Sequence, residues 1–303
     1  MRLVYLGTPS FAVPSLERIV ATGHEVCAVF TQPDRPKGRG QKDAISPVKE
    51  AALRLGLVVH QPERVRRAEV VELLRTLAPD LMVVVGYGQI IPQAILDIPP
   101  QGIINVHASL LPKYRGAAPI QWAIARGEKT TGVTTMKIDA GLDTGAMLLK
   151  WETEIGEEET AVELGARLAP AGADLLMRTI EELPDIVPEA QDDARATLAP
   201  ILKREDGHID WTASAREILN RVRGFQPWPG AYGFLKGQRF HVWRGALADR
   251  RLASGVLVEG KRLFAGCGGG AIELLEIQLE GKKRMAASAF VNGYPMIDGE
   301  LLS

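Results

Sequence analysis

The sequence predicts a doubly wound parallel sheet, an α/β fold of Rossmann-like type, followed by a small antiparallel β-barrel of OB-like type. In the first part of the chain, apolar runs of strand length alternate with amphipathic helical stretches, as in parallel sheets covered by helices. In the last third, short strands are punctuated by glycine, which is typical of small barrels. The predicted organisation is a sheet domain over 1–188, a linker over 189–206 and the barrel over 207–303.

The chain begins with a predicted βαβ unit. Residues 3–6 and 26–30 are apolar runs of strand length. Between them, Ser10 is the predicted N-cap of an amphipathic helix that Gly23 ends.

Later elements extend this sheet. Ser46 followed by Pro47 predicts an N-cap with proline at the first helical position. Residues 81–85 and 103–106 are continuous apolar strands that would be covered on both faces. The acidic, helix-favouring stretch 157–183 is expected to pack on the same domain.

The second domain is predicted from a helix and five short strands. The helix is expected over 214–222, after a segment rich in proline and aspartate that marks the linker. The predicted strands are 231–235, 240–243, 255–258, 263–266 and 272–277.

Composition excludes several classes of protein. The sequence has 36 Lys and Arg against 37 Asp and Glu, so nucleic acid would have to be held by local basic patches. No apolar run is long enough to span a bilayer and no signal peptide is visible, which predicts a cytoplasmic protein without membrane contact. Cys27 and Cys267 form no C-x-x-C pair, so neither a disulfide nor a metal site is expected. Nothing demands more than a monomer.

Asn105 and His107 stand at the carboxyl end of a predicted parallel strand, where open α/β sheets bind their ligands. Residues two apart on a strand point to the same face, so the two side chains can converge on one bound atom. An amide NH₂ and an imidazolium N–H form a donor pair for an oxygen that becomes negative during acyl transfer.

Asp143 is the candidate partner for His107. It lies between Gly141 and Gly145, whose freedom would let the backbone turn the carboxylate toward the pocket. A carboxylate there would favour the protonated imidazole and could accept a proton from an attacking amine. On the residues alone, two plain alternatives stay open: Asp143 as an ordinary turn residue, and His107 as a hydrogen-bonded structural residue.

Three motifs resemble the signature of the folate-dependent formyltransferases: NVH at 105–107, SLLP at 109–112 and GLDTG at 141–145. Three longer runs, 31–40, 109–121 and 225–232, resemble the members of this family that act on methionyl-tRNA. The resemblance covers nearly the whole chain. It implies transfer of a formyl group from 10-formyltetrahydrofolate to the amino group of methionine on initiator tRNA, without a metal. The family's catalytic residues fall on Asn105, His107 and Asp143.

The resemblance also places the two substrates. Folate is expected at Ser109, Leu110, Leu111 and Pro112, where the leucines would offer apolar area to a flat pterin ring. Residues 86–91 could form the facing wall, although core and turn roles explain them equally well.

The basic loop 34–42 would reach the tRNA acceptor stem. The residues expected to bind it are Arg35, Lys37, Gly38, Arg39 and Lys42. Composition alone also fits a solvated loop. In the barrel, basic residues such as Arg250, Arg262 and Arg284 could contact the tRNA backbone or simply be solvated.

Other functions fit the sequence less well. A nicotinamide-dependent oxidoreductase would need G-x-G-x-x-G after the first strand, where GTPSF stands at 7–11. A catalytically silent tRNA-binding protein would not need an intact Asn, His and Asp set. Glycinamide ribonucleotide formyltransferase would leave the last third unexplained. Sugar-nucleotide formyltransferases share a second domain but have no need of a basic arm for RNA.

Arg39→Ala tests the role of the basic loop. An arginine contact to a phosphate or base contributes roughly 1–3 kcal/mol, so the substitution should raise the KM for tRNA about tenfold or more. Folate affinity should not change. Steady-state kinetics with each substrate varied in turn separates the two effects, and equal losses for both would contradict the prediction.

Overall fold

The structure is a computed structural model that describes residues 1–37, 42–253, 255–294, 299–300 and 302. It divides into two compact units. The first comprises Met1–Pro119, Thr131–Thr153 and Gly165–Pro200, and the second Ile120–Thr130, Glu154–Leu164 and Ile201–Ser303. The domain boundaries drawn from the sequence stay a prediction.

The first 182 residues contain nine strands and six α-helices within the described ranges. The strands are β1 (Arg2–Gly7), β2 (Glu25–Phe30), β3 (Arg35–Lys37), β4 (Lys42–Ala44), β5 (Val59–His60), β6 (Leu81–Val85), β7 (Ile103–His107), β8 (Thr130–Lys137) and β9 (Met147–Glu154). The helices are α1 (Val13–Ala21), α2 (Pro47–Arg54), α3 (Ala68–Leu77), α4 (Gln93–Leu96), α5 (Pro119–Ala125) and α6 (Ala161–Glu182).

Seven of these strands form one sheet in the order β5-β2-β1-β6-β7-β8-β9. The pairs from β5 to β7 are parallel, whereas β7 and β8 are antiparallel. From β1 the chain runs outward through β2 to β5, then returns to the other side of β1 as β6. This reversal makes the sheet doubly wound, so the predicted fold class is confirmed, and it puts the switch point between β1 and β6, one strand away from β7.

The starts of α1 and α2 can be compared with the N-caps predicted from the sequence. Ser46 accepts a hydrogen bond from the backbone N–H of Lys49 at 3.0 Å, and Pro47 begins α2, as predicted. The prediction for Ser10 was wrong. Ser10 opens a short 3₁₀ turn, and α1 begins only at Val13 with Ala12 as its N-cap. Pro14 then occupies the first turn of α1, where a missing N–H leaves no hydrogen bond unmade.

The second unit carries the predicted antiparallel sheet. After α7 (Ala215–Gly224), its strands are β10 (Ala231–Leu235), β11 (Gln238–Ala248), β12 (Gly255–Glu259), β13 (Arg262–Cys267), β14 (Gly270–Leu279) and β15 (Met285–Ala286), followed by α8 (Ala287–Gly293). The sheet order is β10-β11-β14-β13-β12, with β15 on β14. Ser214 and Glu217 form the capping box of α7.

Residues near position 300 close this sheet into a barrel. Val256 on β12 donates to the carbonyl of Glu300 at 2.9 Å and accepts from Gly299 at 2.8 Å. Leu302 pairs with Leu235 on β10. One short segment thus contacts both edges of the sheet around a core that includes Trp211, Phe240 and Ile272.

In the described ranges, no helix is long and apolar enough to cross a membrane. The two cysteines are free, with Cys27 partly exposed and Cys267 buried. Burial raises the pKa of both thiols.

Ser46→Ala should lower the free energy of unfolding by about 1 kcal/mol or more, because an N–H at the start of α2 loses its acceptor and the buried hydroxyl of Thr31 loses its partner. Ser10→Ala is the matched control, since its side chain caps no helix. Urea unfolding of both variants measures the difference. Equal effects would show that Ser46 contributes nothing as a cap.

Candidate active site

The candidate site begins at the end of β7, inside the sheet. All five residues of β7 are buried, including Asn105 and His107. Opposite them on β8 lie Met136 and Thr134. Because the strand lies between two others and ends at the ligand-binding edge, these two polar side chains have fixed positions beside the space where a substrate would enter.

Asp143 reaches the same place from the loop after β8. This loop returns closely along its own strand: a Cβ on Gly145 would lie 1.9 Å from the carbonyl oxygen of Lys137. Asp139 holds the turn by accepting from the backbone of Gly141 at 3.0 Å and from Thr144 Oγ1 at 2.7 Å. Asp143 itself has a φ of +52°, a left-handed conformation that few residues other than glycine adopt.

The three side chains meet around the carboxylate of Asp143. Asn105 Nδ2 donates to one oxygen, Oδ1, at 3.3 Å. His107 Nδ1 lies 3.6 Å from the other oxygen, Oδ2, which is an ion-pair distance when the ring is protonated. The backbone N–H of Gly116 donates to the same Oδ2 at 2.8 Å. The structure therefore brings together the trio that the sequence analysis singled out.

The second ring nitrogen of His107 is already engaged. Nε2 lies 2.8 Å from the carbonyl oxygen of Tyr114, and because a carbonyl can only accept, Nε2 carries a proton. Nδ1 can then donate to the carboxylate, or to an entering oxygen, only when the ring carries its second proton. This makes Nδ1 the nitrogen that can face a reacting atom.

Sequence reasoning missed the support around this trio. Gln191 Nε2 donates to the backbone carbonyls of Asp143 and Gly145, each at 2.8 Å. Buried Arg115 donates to Gln191 through Nε at 2.9 Å. Gln191 belongs to a segment predicted as linker, and nothing in its local sequence marks it. The available signal was Arg115, a cation in a largely apolar loop that required a partner.

The 114–118 loop is fixed by the same distant segment. Tyr114 donates to Thr197 Oγ1 at 2.9 Å, and Ala199 donates to the carbonyl of Arg115 at 2.7 Å. Gly116 has a φ of +122°, and a Cβ there would lie 2.6 Å from the carbonyl oxygen of Ala199. Glycine is required at this position because the backbone that donates to Asp143 passes too close for a side chain.

Comparison with known proteins identifies the family. Residues 1–180 match the family model described as Formyl transferase, and residues 201–295 match Formyl transferase, C-terminal domain. The chain belongs to the formyltransferase family. A curated relative named methionyl-tRNA formyltransferase, from Solibacter usitatus (strain Ellin6076), is 62% identical over 306 residues, which cover 100% of this chain and 98% of the relative.

Solved structures share the fold. Methionyl-tRNA formyltransferase from Clostridium thermocellum has a TM-score of 0.61 at 18% identity, over 92% of this chain and 98% of its own. HypX from Aquifex aeolicus, solved in complex with tetrahydrofolic acid, has a TM-score of 0.66 at 16% identity, over 98% of this chain and 48% of its own. At such low identity these likenesses establish the fold alone.

The 109–112 loop is pinned next to the trio by Thr134. The hydroxyl of Thr134 accepts from the backbone of Leu111 at 3.1 Å and donates to the carbonyl of Ser109 at 2.7 Å. Leu111 packs into a small core cluster, and Ser109 and Pro112 are buried as well. Of the four predicted folate residues, Leu110 is the one whose side chain retains exposed surface, so it is the most accessible to a ligand.

The 86–91 segment divides between core and surface. Tyr87 and Ile91 are buried in the core of the first unit, whereas Ile90 is 85% exposed. Burial raises the pKa of Tyr87 to about 12, and its hydroxyl has no hydrogen-bond partner among the described residues. The core alternative therefore fits Tyr87 and Ile91, whereas Ile90 and the glycines at 86 and 88 have the exposure that a ligand-facing wall needs.

The basic loop is described only at its two ends. β3 and β4 pair in antiparallel fashion, with Arg35 opposite Ala44 and Lys37 opposite Lys42. Gly38 and Arg39, both predicted to bind tRNA, lie outside the described residues. At the base, an ion pair with Lys49 and a hydrogen bond from Gln61 lower the pKa of Asp34. The loop thus starts from a fixed point.

Several basic residues of the barrel have acidic partners. Arg262 forms a two-pronged ion pair with Glu273 at 2.9 and 2.6 Å. Arg250 pairs with Glu259 at 2.6 Å, and Arg284 pairs with Glu276. These partners reduce the positive charge available to a phosphate backbone. No group of residues able to hold a metal ion occurs in the part of the chain that the structure describes.

Tyr87→Phe tests whether the tyrosine serves the core or a ligand. Removing a buried hydroxyl that has no partner should raise the free energy of unfolding by about 1 kcal/mol. Folate affinity should stay the same. Urea unfolding and folate titration measure the two quantities. A loss of folate affinity would show that the hydroxyl binds the ligand instead.

Proposed function

We propose that this protein transfers a formyl group from 10-formyltetrahydrofolate to the amino group of methionine on initiator tRNA, yielding N-formylmethionyl-tRNA for translation initiation. The observation that carries the proposal is the convergence of Asn105 Nδ2 and His107 Nδ1 on the two oxygens of one carboxylate. The 62% identity to a full-length methionyl-tRNA formyltransferase supports the choice of acceptor.

The donor pair fits the charge that develops in this reaction. When the neutral amine attacks the formyl carbon, a new C–N bond forms and the formyl oxygen becomes negative. Asn105 and His107 are the N–H donors proposed to stabilise this oxygen, because they are held in place before the substrate arrives. A preorganised donor of this kind contributes about 10²–10³ in rate.

Asp143 is proposed to transfer the proton of the attacking amine and to orient His107. Its carboxylate accepts the proton lost by the attacking amine, and the proton is delivered to the folate nitrogen as the bond from that nitrogen to the formyl carbon breaks. Before it accepts this proton, its negative charge lies 3.6 Å from Nδ1 and orients the ring of His107. The formyl group arrives already activated, so the proposed steps need no metal.

The substrates are proposed to approach from two sides. Folate would lie against the 109–112 loop, with Leu110 offering apolar contact. The acceptor end of tRNA would be held by Arg35, Lys37, Gly38, Arg39 and Lys42, of which the four cations would neutralise phosphates. Neither substrate requires a second subunit, so we propose a monomer that acts in the cytoplasm.

The deciding experiment offers the purified protein 10-formyltetrahydrofolate with either methionyl-tRNA or an amino sugar nucleotide. We expect formylation of the methionine and none of the sugar. Mass spectrometry of the two acceptors gives the answer. Formylation of the sugar alone would contradict the proposal and indicate a sugar-nucleotide formyltransferase.

His107→Ala should lower kcat by at least about 100-fold, because one donor to the developing anion is lost. Folate affinity should stay within a few-fold, which also shows that the variant is folded. His24→Ala is the matched control: His24 precedes β2 and lies at the amino edge of the parallel sheet, opposite the site. Near-normal turnover by His107→Ala would rule out the proposed role.

A further inference from the structure

We propose that Gln191 is a positioning residue for formyl transfer, one that holds the backbone of Asp143 so that its carboxylate faces Asn105 and His107. This inference rests on the proposed function and adds a residue from the 189–199 segment to the machinery. Gln191 touches neither of the other two members of the trio in the contacts described, so its effect passes through Asp143.

Gln191 holds the strained backbone at Asp143. Its Nε2 donates to the carbonyl oxygens of Asp143 and Gly145, both at 2.8 Å, and so holds the peptide group after Asp143 and the peptide group after Gly145. Asp143 has a φ of +52°, a left-handed backbone conformation that is strained for a residue with a side chain. Such a conformation persists only where surrounding contacts hold it.

Arg115 fixes which end of the Gln191 amide faces the loop. A guanidinium can only donate, so Oε1 of Gln191 must face Arg115 Nε at 2.9 Å. The NH₂ end is then directed at the two carbonyls, which can only accept. Arg115 is itself buried and donates to Asp193 at 2.7 Å. Each donor in this series of hydrogen bonds has an acceptor. Turning the Gln191 amide around would place its Oε1 against the carbonyl oxygens of Asp143 and Gly145.

The direction of the Asp143 carboxylate depends on this clamp. Its oxygens meet donors on three sides, from Asn105, His107 and Gly116, and catalytic groups must be held within about 0.5 Å of their working geometry. A rotation of the peptide after Asp143 would swing the side chain away from both Nδ2 and Nδ1. Gln191 prevents that rotation without touching a substrate.

Gln191→Glu is the sharpest variant, because it keeps the shape and the contact with Arg115 but replaces both donated hydrogen bonds with a negative oxygen facing two carbonyls. Gln191→Met removes the donors without adding charge. Both should lower kcat for methionyl-tRNA formylation by about 100-fold, since misplacement of a catalytic group by about 1 Å has that effect. The KM for folate should change less than about threefold.

Glu189→Gln is the matched control. It changes an exposed side chain two positions earlier, while Glu189 keeps its backbone pairing with Met147. Its kcat should equal that of the unaltered protein.

A double variant separates positioning from general damage. If Gln191 acts through Asp143, adding Gln191→Glu to Asp143→Asn should lower the residual kcat by less than about threefold, since coupled residues are not additive. Three results would each overturn the inference. The first is a double variant whose loss of kcat equals the product of the two single losses, and the second is an unchanged kcat in the single variants. The third is a loss of folate binding that accompanies the loss of kcat. If the unaltered protein formylates no methionyl-tRNA, the proposed function fails instead, which is a different result.

Discussion

The site depends on the placement of one carboxylate among donors from separate parts of the chain. Asp143 receives an N–H from the strand β7, another from the backbone of Gly116, and the imidazole of His107 at ion-pair distance. A buried or half-buried carboxylate is stable only where such donors replace water. The same arrangement places Asn105 Nδ2 and His107 Nδ1 beside the two oxygens of one carboxylate, and a reaction that creates an oxyanion needs preorganised donors.

The fold supplies these donors by two different means. The doubly wound sheet delivers Asn105 and His107 on a rigid, fully buried strand. The loops at 114–118 and 138–146 have no such rigidity, and they are held instead by residues 189–199 of the same unit. Because the antiparallel strand β8 runs back beside β7, its following loop starts close to the strand that it must serve.

Much of this could be predicted from the sequence, for physical reasons that differ by element. Continuous apolar runs predicted β6 and β7, since strands buried on both faces tolerate little else. The trio was found through two-residue spacing on a strand and glycines around a carboxylate, and through resemblance to a family. Gln191 and Thr197 were not found, because a hydrogen bond between distant segments leaves no local pattern. The predicted helix start at Ser10 was wrong because α1 begins at Val13, with Pro14 in its first turn.

The closure of the barrel by Gly299, Glu300 and Leu302 has a consequence for the order of folding. The segment pairs with Val256 and Leu235, which are far away in sequence, so forming these pairs requires large loops to be closed first. Hairpins such as β12–β13 can assemble earlier from neighbouring residues. A chain in which these pairs have not formed would present unpaired backbone on β10 and β12 at both rims, where a second chain could pair.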